Sequence, residues 1–192
     1  MNLLSFPCLH EEFDSNCFLK DMEKVLDTYY REKGLLYDSN LSIHRYDSQD
    51  KQWQVSYMDT DQSVQGDIFD LDPYKGYLVY IQFQDPNYSI KNINIPLTYA
   101  PMDANEAGYD FYPPVHLTGF LEPPVGYTPK SLIGDPELRD SLKAILHHNP
   151  GNGSFSTHYR FFKRPCVPPG HIVDDKGYLL FIKEVIHDWQ PK

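Results

Sequence analysis

Asp135-Pro136-Glu137-Leu138-Arg139-Asp140-Ser141-Leu142-Lys143-Ala144-Ile145-Leu146-His147-His148 is the stretch whose reading decides the architecture. Leu138, Leu142, Ile145 and Leu146 recur at the spacing of one buried helical face. Asp135 is a good N-cap, Pro136 suits the first helical position, and Glu137 complements the positive end of a helix. His147 and His148 fall where a helix favours a cation, and Asn149-Pro150-Gly151 ends the run. The spacing predicts a helix over about 135–148.

Working outward, the nearest upstream punctuation is a strand fenced by two proline pairs, Pro113-Pro114 and Pro123-Pro124. Read with period two, Val115, Leu117 and Leu121 point one way, and His116, Thr118, Phe120 and Glu122 the other. One face then packs on a core while the other shows an imidazole, a hydroxyl and a carboxylate to solvent. Before it, residues 100–112 read as a loop. Ile93, Ile95, Leu97 and Tyr99 alternate with polar residues as a half-exposed strand, with Pro96 marking an edge or bulge. Tyr77–Gln84 is apolar on both faces, as a central strand is. Leu41–Asp47 and Gln52–Met58 flank the polar turn Asp47-Ser48-Gln49-Asp50 as a hairpin, with Trp53, Val55 and Tyr57 on one face.

Farther out, Phe18, Met22, Val25 and Tyr29, flanked by Leu19, Leu26 and Tyr30, predict a helix over about 15–33. Asp14 or Ser15 caps its start, Arg31 and Lys33 suit its end, and Gly34 takes the left-handed stop. Downstream, Ser154–Lys163 and Tyr178–Trp189 read as two further strands. The order helix, strands, helix, two strands with short connections predicts α+β: one domain over 1–192, with a twisted, mainly antiparallel sheet packed on both helices. A partly closed β-barrel with a Tyr-lined cavity is the alternative.

Composition narrows the function. Of 192 residues, 41% are hydrophobic and 15% aromatic, which suits a packed, strand-rich fold. The net charge is −10, and residues 1–75 hold fifteen acidic against seven basic side chains. No basic stripe offers a phosphate-binding footprint, so nucleic acid is not an expected partner. Three cysteines, Cys8, Cys17 and Cys166, form no disulfide framework, and no signal-like or membrane-length apolar run occurs. A cytoplasmic protein is the expectation, without membrane or cofactor.

His116-Leu117-Thr118 has the H-x-T form of two-histidine phosphoesterases, in which two imidazoles act as acid and base on one phosphate. His44, His158 and His187 each lack a Ser or Thr two places on, so a second copy is missing. A hydrolase built on His116 and Thr118 with a distant His158 is an alternative, not the first reading. Cys166 with His171 and Asp174 or Asp175 outlines a thiol nucleophile, but sequence proximity alone does not assemble one, and a structural cysteine is the simpler reading. Cys8, His10 and Cys17 are too few and too loosely spaced for a zinc site.

Asp59, Asp61, Asp67, Asp70 and Asp72 place five carboxylates within fourteen residues. Two D-x-D spacings suit a hard cation, without any EF-hand pattern. With Phe69, Tyr74 and Tyr57 they instead outline a docking surface for a basic protein, because aromatic anchors with a charged rim are common interface chemistry. The leading expectation is a non-catalytic binding protein of the inhibitor or immunity kind that occludes a basic partner. A small-ligand carrier with a Tyr-rich cavity is a further alternative.

Overall fold

The computed structural model describes residues 2–6, 13–34, 39–72, 74–83, 108–120, 123–149, 154–159, 172 and 176–191. Helix α1 runs Ser15–Glu32, close to the span that the apolar spacing predicts. The Asp14 carboxylate accepts from the Cys17 backbone N–H at 2.7 Å, which satisfies one of the donors a helix start leaves open. At the other end Gly34 takes φ 68°, a conformation side chains disfavour, and its N–H donates to the Arg31 carbonyl. Phe18, Leu19, Met22, Leu26 and Tyr30 form the buried stripe.

That stripe lies on a five-stranded sheet in the order β1-β5-β2-β3-β4. Its strands are β1 (Asn2–Ser5), β2 (Ser39–Asp47), β3 (Gln52–Met58), β4 (Val64–Gly66) and β5 (Gly76–Phe83), antiparallel at every pairing. The β2–β3 turn forms because the Asp47 carboxylate accepts from the N–H groups of Gln49 and Asp50. Leu41, Ile43, Met58, Tyr77 and Val79 face α1 and join Phe6 and Phe69 in the first core. Each such burial contributes roughly 1.5–3 kcal/mol.

The second half departs from the expected plan. The reading of 135–148 as a helix is wrong: Leu142–Asn149 is strand β8, and the helix here is the short α2, Pro129–Gly134, capped by Thr128. A β-bulge explains the misreading. On β10 (Tyr178–Ile182), Phe181 pairs with Ala144 and Ile182 with Leu142, so Lys143 is an extra residue on β8. The bulge brings Leu142 and Ile145, three apart, to one face of the sheet, where a regular strand would put them on opposite faces. Asp135 does cap a turn, by accepting from the Glu137 N–H.

Strands β7 (Val115–Thr118), β10, β8 and β9 (Ser154–Tyr159) form a four-stranded antiparallel sheet in that order. A two-stranded ribbon joins β6 (Tyr109–Phe111), within the span expected to be a loop, to β11 (Ile186–Trp189). The last predicted strand is therefore two, interrupted at Lys183–Val185. Among the described residues the expected single sheet is three sheets, and none of them closes into a barrel. The second core gathers Phe111, Phe120, Leu132, Leu138, Leu142, Ile145, Tyr178, Leu180 and Trp189. The predicted strand at 93–99 lies outside the described residues.

The halves meet along a seam of backbone. Lys75 bridges Thr118, the Gly119 N–H donates to the Tyr74 carbonyl, and the Gly177 N–H donates to the Leu3 carbonyl. Two glycines permit this approach. A Cβ on Gly76 would lie 3.0 Å from the backbone N and O of Thr118, and one on Gly177 would lie 2.7 Å from the Leu4 carbonyl oxygen.

Candidate functional site

The polar face of the fenced strand is not a solvent face. Thr118 and Phe120 are fully buried, and His116 is 8% exposed. The Thr118 hydroxyl lies 2.8 Å from the Tyr74 carbonyl and 2.9 Å from that of Gly119, so its proton serves the seam. Pro113 and Pro114 are joined by a cis bond just before the strand.

The His116 ring stands edge-on to Phe111, and its Nδ1 accepts from the Tyr112 backbone N–H at 3.4 Å. With Nδ1 accepting, the neutral ring carries its proton on Nε2. Burial and the positive charge of Lys75 bring the imidazole down to about 4, against the opposing pull of Asp110 and Asp47. It is therefore neutral at physiological pH.

His158 occupies the same transverse row: His116 pairs with Leu180, Leu180 with Ile145, and Ile145 with His158. Two strands stand between them, which sets the backbone positions about 14 Å apart. Register aligns the two histidines without bringing them together.

His116 and Leu117 instead line a cleft of about 290 Å³ at the seam. The β2–β3 turn contributes Tyr46, Asp47, Ser48 and Gln49, the β4–β5 connection Asp72, Tyr74 and Lys75, and β6 with its flanks Gly108, Tyr109, Asp110 and Tyr112. Asp72 accepts from the Tyr74 N–H through one oxygen, while the other is 3.9 Å from the Lys75 ammonium. Asp110 accepts from the Asp188 N–H at 3.0 Å and stands 3.3 Å from His187 Nδ1. Hydrogen bonds from Asp50 and Gln49 hold the Asp47 carboxyl below its usual range. Sequence reasoning singled out His116, Asp72 and Tyr74 but missed Asp47, Lys75 and Asp110. No spacing links those three, because only the seam assembles them.

The five acids of the 59–72 stretch do not share one surface. Asp59 is spent on the β3–β4 turn, where it accepts from the Asp61 and Ser63 N–H groups, the Ser63 hydroxyl and the Gln65 amide. Those bonds hold its carboxyl below the usual range. Asp61 is exposed on the same turn, and Asp67 accepts from the Val55 N–H at 3.1 Å. Asp70 is exposed near the start of α1, where it bridges Asp14, and Asp72 lines the cleft. Phe69 is 4% exposed in the first core, stacked on Tyr77 and covered by the Arg45 guanidinium, so it presents no ring to a partner. Tyr74 stands edge-on to Tyr109 in the cleft wall. Among the described residues the exposed aromatics of this half are Trp53 and Tyr57, both on the sheet face away from α1.

Cys17 lies in the first turn of α1, where burial and a hydrogen bond donated by the thiol to the Asp14 carboxylate push its pKa up. Cys8, His10, Cys166, His171, Asp174 and Asp175 lie outside the described residues. Among the described residues, no three His, Cys, Asp or Glu side chains converge to hold a metal ion, and no helix is long and apolar enough to cross a membrane. Comparison with protein-family models, curated proteins and solved structures returns no match for this chain.

Proposed function

We propose that this is a non-catalytic binding protein that docks a basic protein partner on the outward face of the five-stranded sheet. The observation that carries this reading is the pair Trp53 and Tyr57, 48% and 45% exposed on the same side of β3. Tyr46 packs on Trp53 at 5.1 Å and extends the aromatic surface onto β2. Large rings left half in water are the usual anchors of an interface, and they lose that water when a partner covers them.

The charge around them selects the partner. Asp47 ends β2, Asp59 and Asp61 follow β3, and Asp67 follows β4, so carboxylates border the aromatic strand at both ends. With a net charge of −10, the chain attracts a basic surface at long range, and the rings then supply contact area. Trp53 takes the anchoring role first assigned to Phe69. A two-histidine hydrolase is less well supported, since the Thr118 hydroxyl is committed to carbonyls and His116 and His158 stand on separated strands.

The test compares affinity capture from the source cells by the native chain and by a Trp53→Ala, Tyr57→Ala double variant, followed by binding measurements with the purified partner. The expected partner is basic, associates more slowly as salt rises, and loses at least about tenfold in affinity toward the double variant. Equal binding of both chains by that partner would overturn the proposal.

A further inference from the structure

We propose that the cleft at the seam is a binding site for a small zwitterion of the amino-acid class, one that presents an ammonium group and an oxygen acceptor together. The inference goes beyond the docking face and stands without it.

The first observation is His116. It is nine-tenths buried, and its Nδ1 is turned to the Tyr112 N–H. The remaining nitrogen, Nε2–H, has no hydrogen-bond partner among the described residues and belongs to a ring that lines the cleft. It is not sealed from the cleft, and a ligand oxygen can take the place of water on it; on a ring 8% exposed such a bond is held in a largely desolvated setting. Lys75, whose ammonium is only in long contact with Asp72, adds positive charge beside the ring. His116 and Lys75 together make a donor pole.

The second observation is the opposite pole. Asp47 uses one carboxylate oxygen, Oδ1, for both of its turn bonds, and among the described residues its other oxygen carries none. Asp110 adds a second carboxylate to the same lining. A simple anion would meet these carboxylates, and a simple cation would leave the His116 hydrogen unanswered. A molecule with an ammonium at one end and a carboxylate at the other satisfies both. The tyrosines of the wall offer ring faces to the cationic end. A volume of about 290 Å³ lies at the small end of ligand pockets, which favours a single amino acid over a peptide or a nucleotide.

The full chain is titrated with each of the twenty L-amino acids, and with inorganic phosphate and spermidine as single-pole probes. Thermal midpoint and the ¹⁵N resonance of His116 Nε2 are the readouts. At least one amino acid is expected to raise the midpoint and move that resonance. Asp47→Asn keeps the Oδ1 acceptor of the turn but removes the charge, and is expected to weaken binding about tenfold or more. Lys75→Met tests the other pole, and does so even if His116→Gln fails to fold. The proposal is overturned if no amino acid moves either readout, if phosphate or spermidine alone binds, or if Asp47→Asn binds like the native chain. Loss of the basic partner from the Trp53–Tyr57 face would leave these measurements unchanged, so the two readings fail separately.

Discussion

The two cores of this molecule solve the same problem with different material. The first is a helix laid on a sheet. Its stripe of Phe18, Leu19, Met22, Leu26 and Tyr30 comes from one continuous segment. The second is built around a tryptophan. Trp189 meets Tyr109, Phe111 and Phe120, which sit on or beside short strands, and its indole N–H donates to Asp135 at 3.3 Å. The first core is specified locally and the second only by contacts distant in the chain. Local specification tolerates error in one place at a time, whereas a core pinned by one large ring concentrates its stability in that ring.

Trp189→Ala is accordingly the substitution expected to cost most, about 3–5 kcal/mol, with Leu26→Ala at about 2–5 kcal/mol in the first core. Urea unfolding followed by near- and far-ultraviolet circular dichroism measures both. Coincident curves are expected, because the seam ties the halves by backbone bonds; separated curves would show that each core melts alone.

Acid probes the second core by another route. The His116 pKa is lowered by folding to about 4, so the unfolded chain takes up a proton at higher pH than the folded one. Its contribution is fully present above about 6.5 and is lost as pH falls toward 4, amounting to roughly 3 kcal/mol. Stability measured across that range should rise with pH in the native chain and rise less in His116→Gln.

Smaller effects belong to the first half. Asp14→Ala removes the cap of α1 and should cost about 1 kcal/mol in chemical denaturation. Trp53→Ala, on an exposed face, should change stability by no more than about 0.5 kcal/mol in the same assay. A larger loss there would mean that the ring supports the fold, which would weaken the docking proposal.

What the sequence made legible follows the same division. Helix α1 and the β2–β3 hairpin could be read because period, cap and turn residues all lie within one short window. Strand β8 could not, since the bulge at Lys143 gives its apolar residues a helical spacing. β6 and β11 have three and four residues, too few for any period to register. The cleft was legible only in part. His116 stood out by its neighbours in sequence, but Asp47, Lys75 and Asp110 acquire a common purpose only when the halves meet.

The clasp between Gly177 and β1 has a consequence for the order in which the chain is made. β1 is the outermost strand of its sheet, and its free side is closed by the Lys176 bridge and the Gly177 bond. Helix α1 and strands β1 to β5 leave the ribosome long before those residues do. Until the latter emerge, the growing chain carries an open strand edge of the kind that recruits other chains. The interval closes only when a glycine, with no side chain to obstruct it, arrives from a segment far downstream of β5.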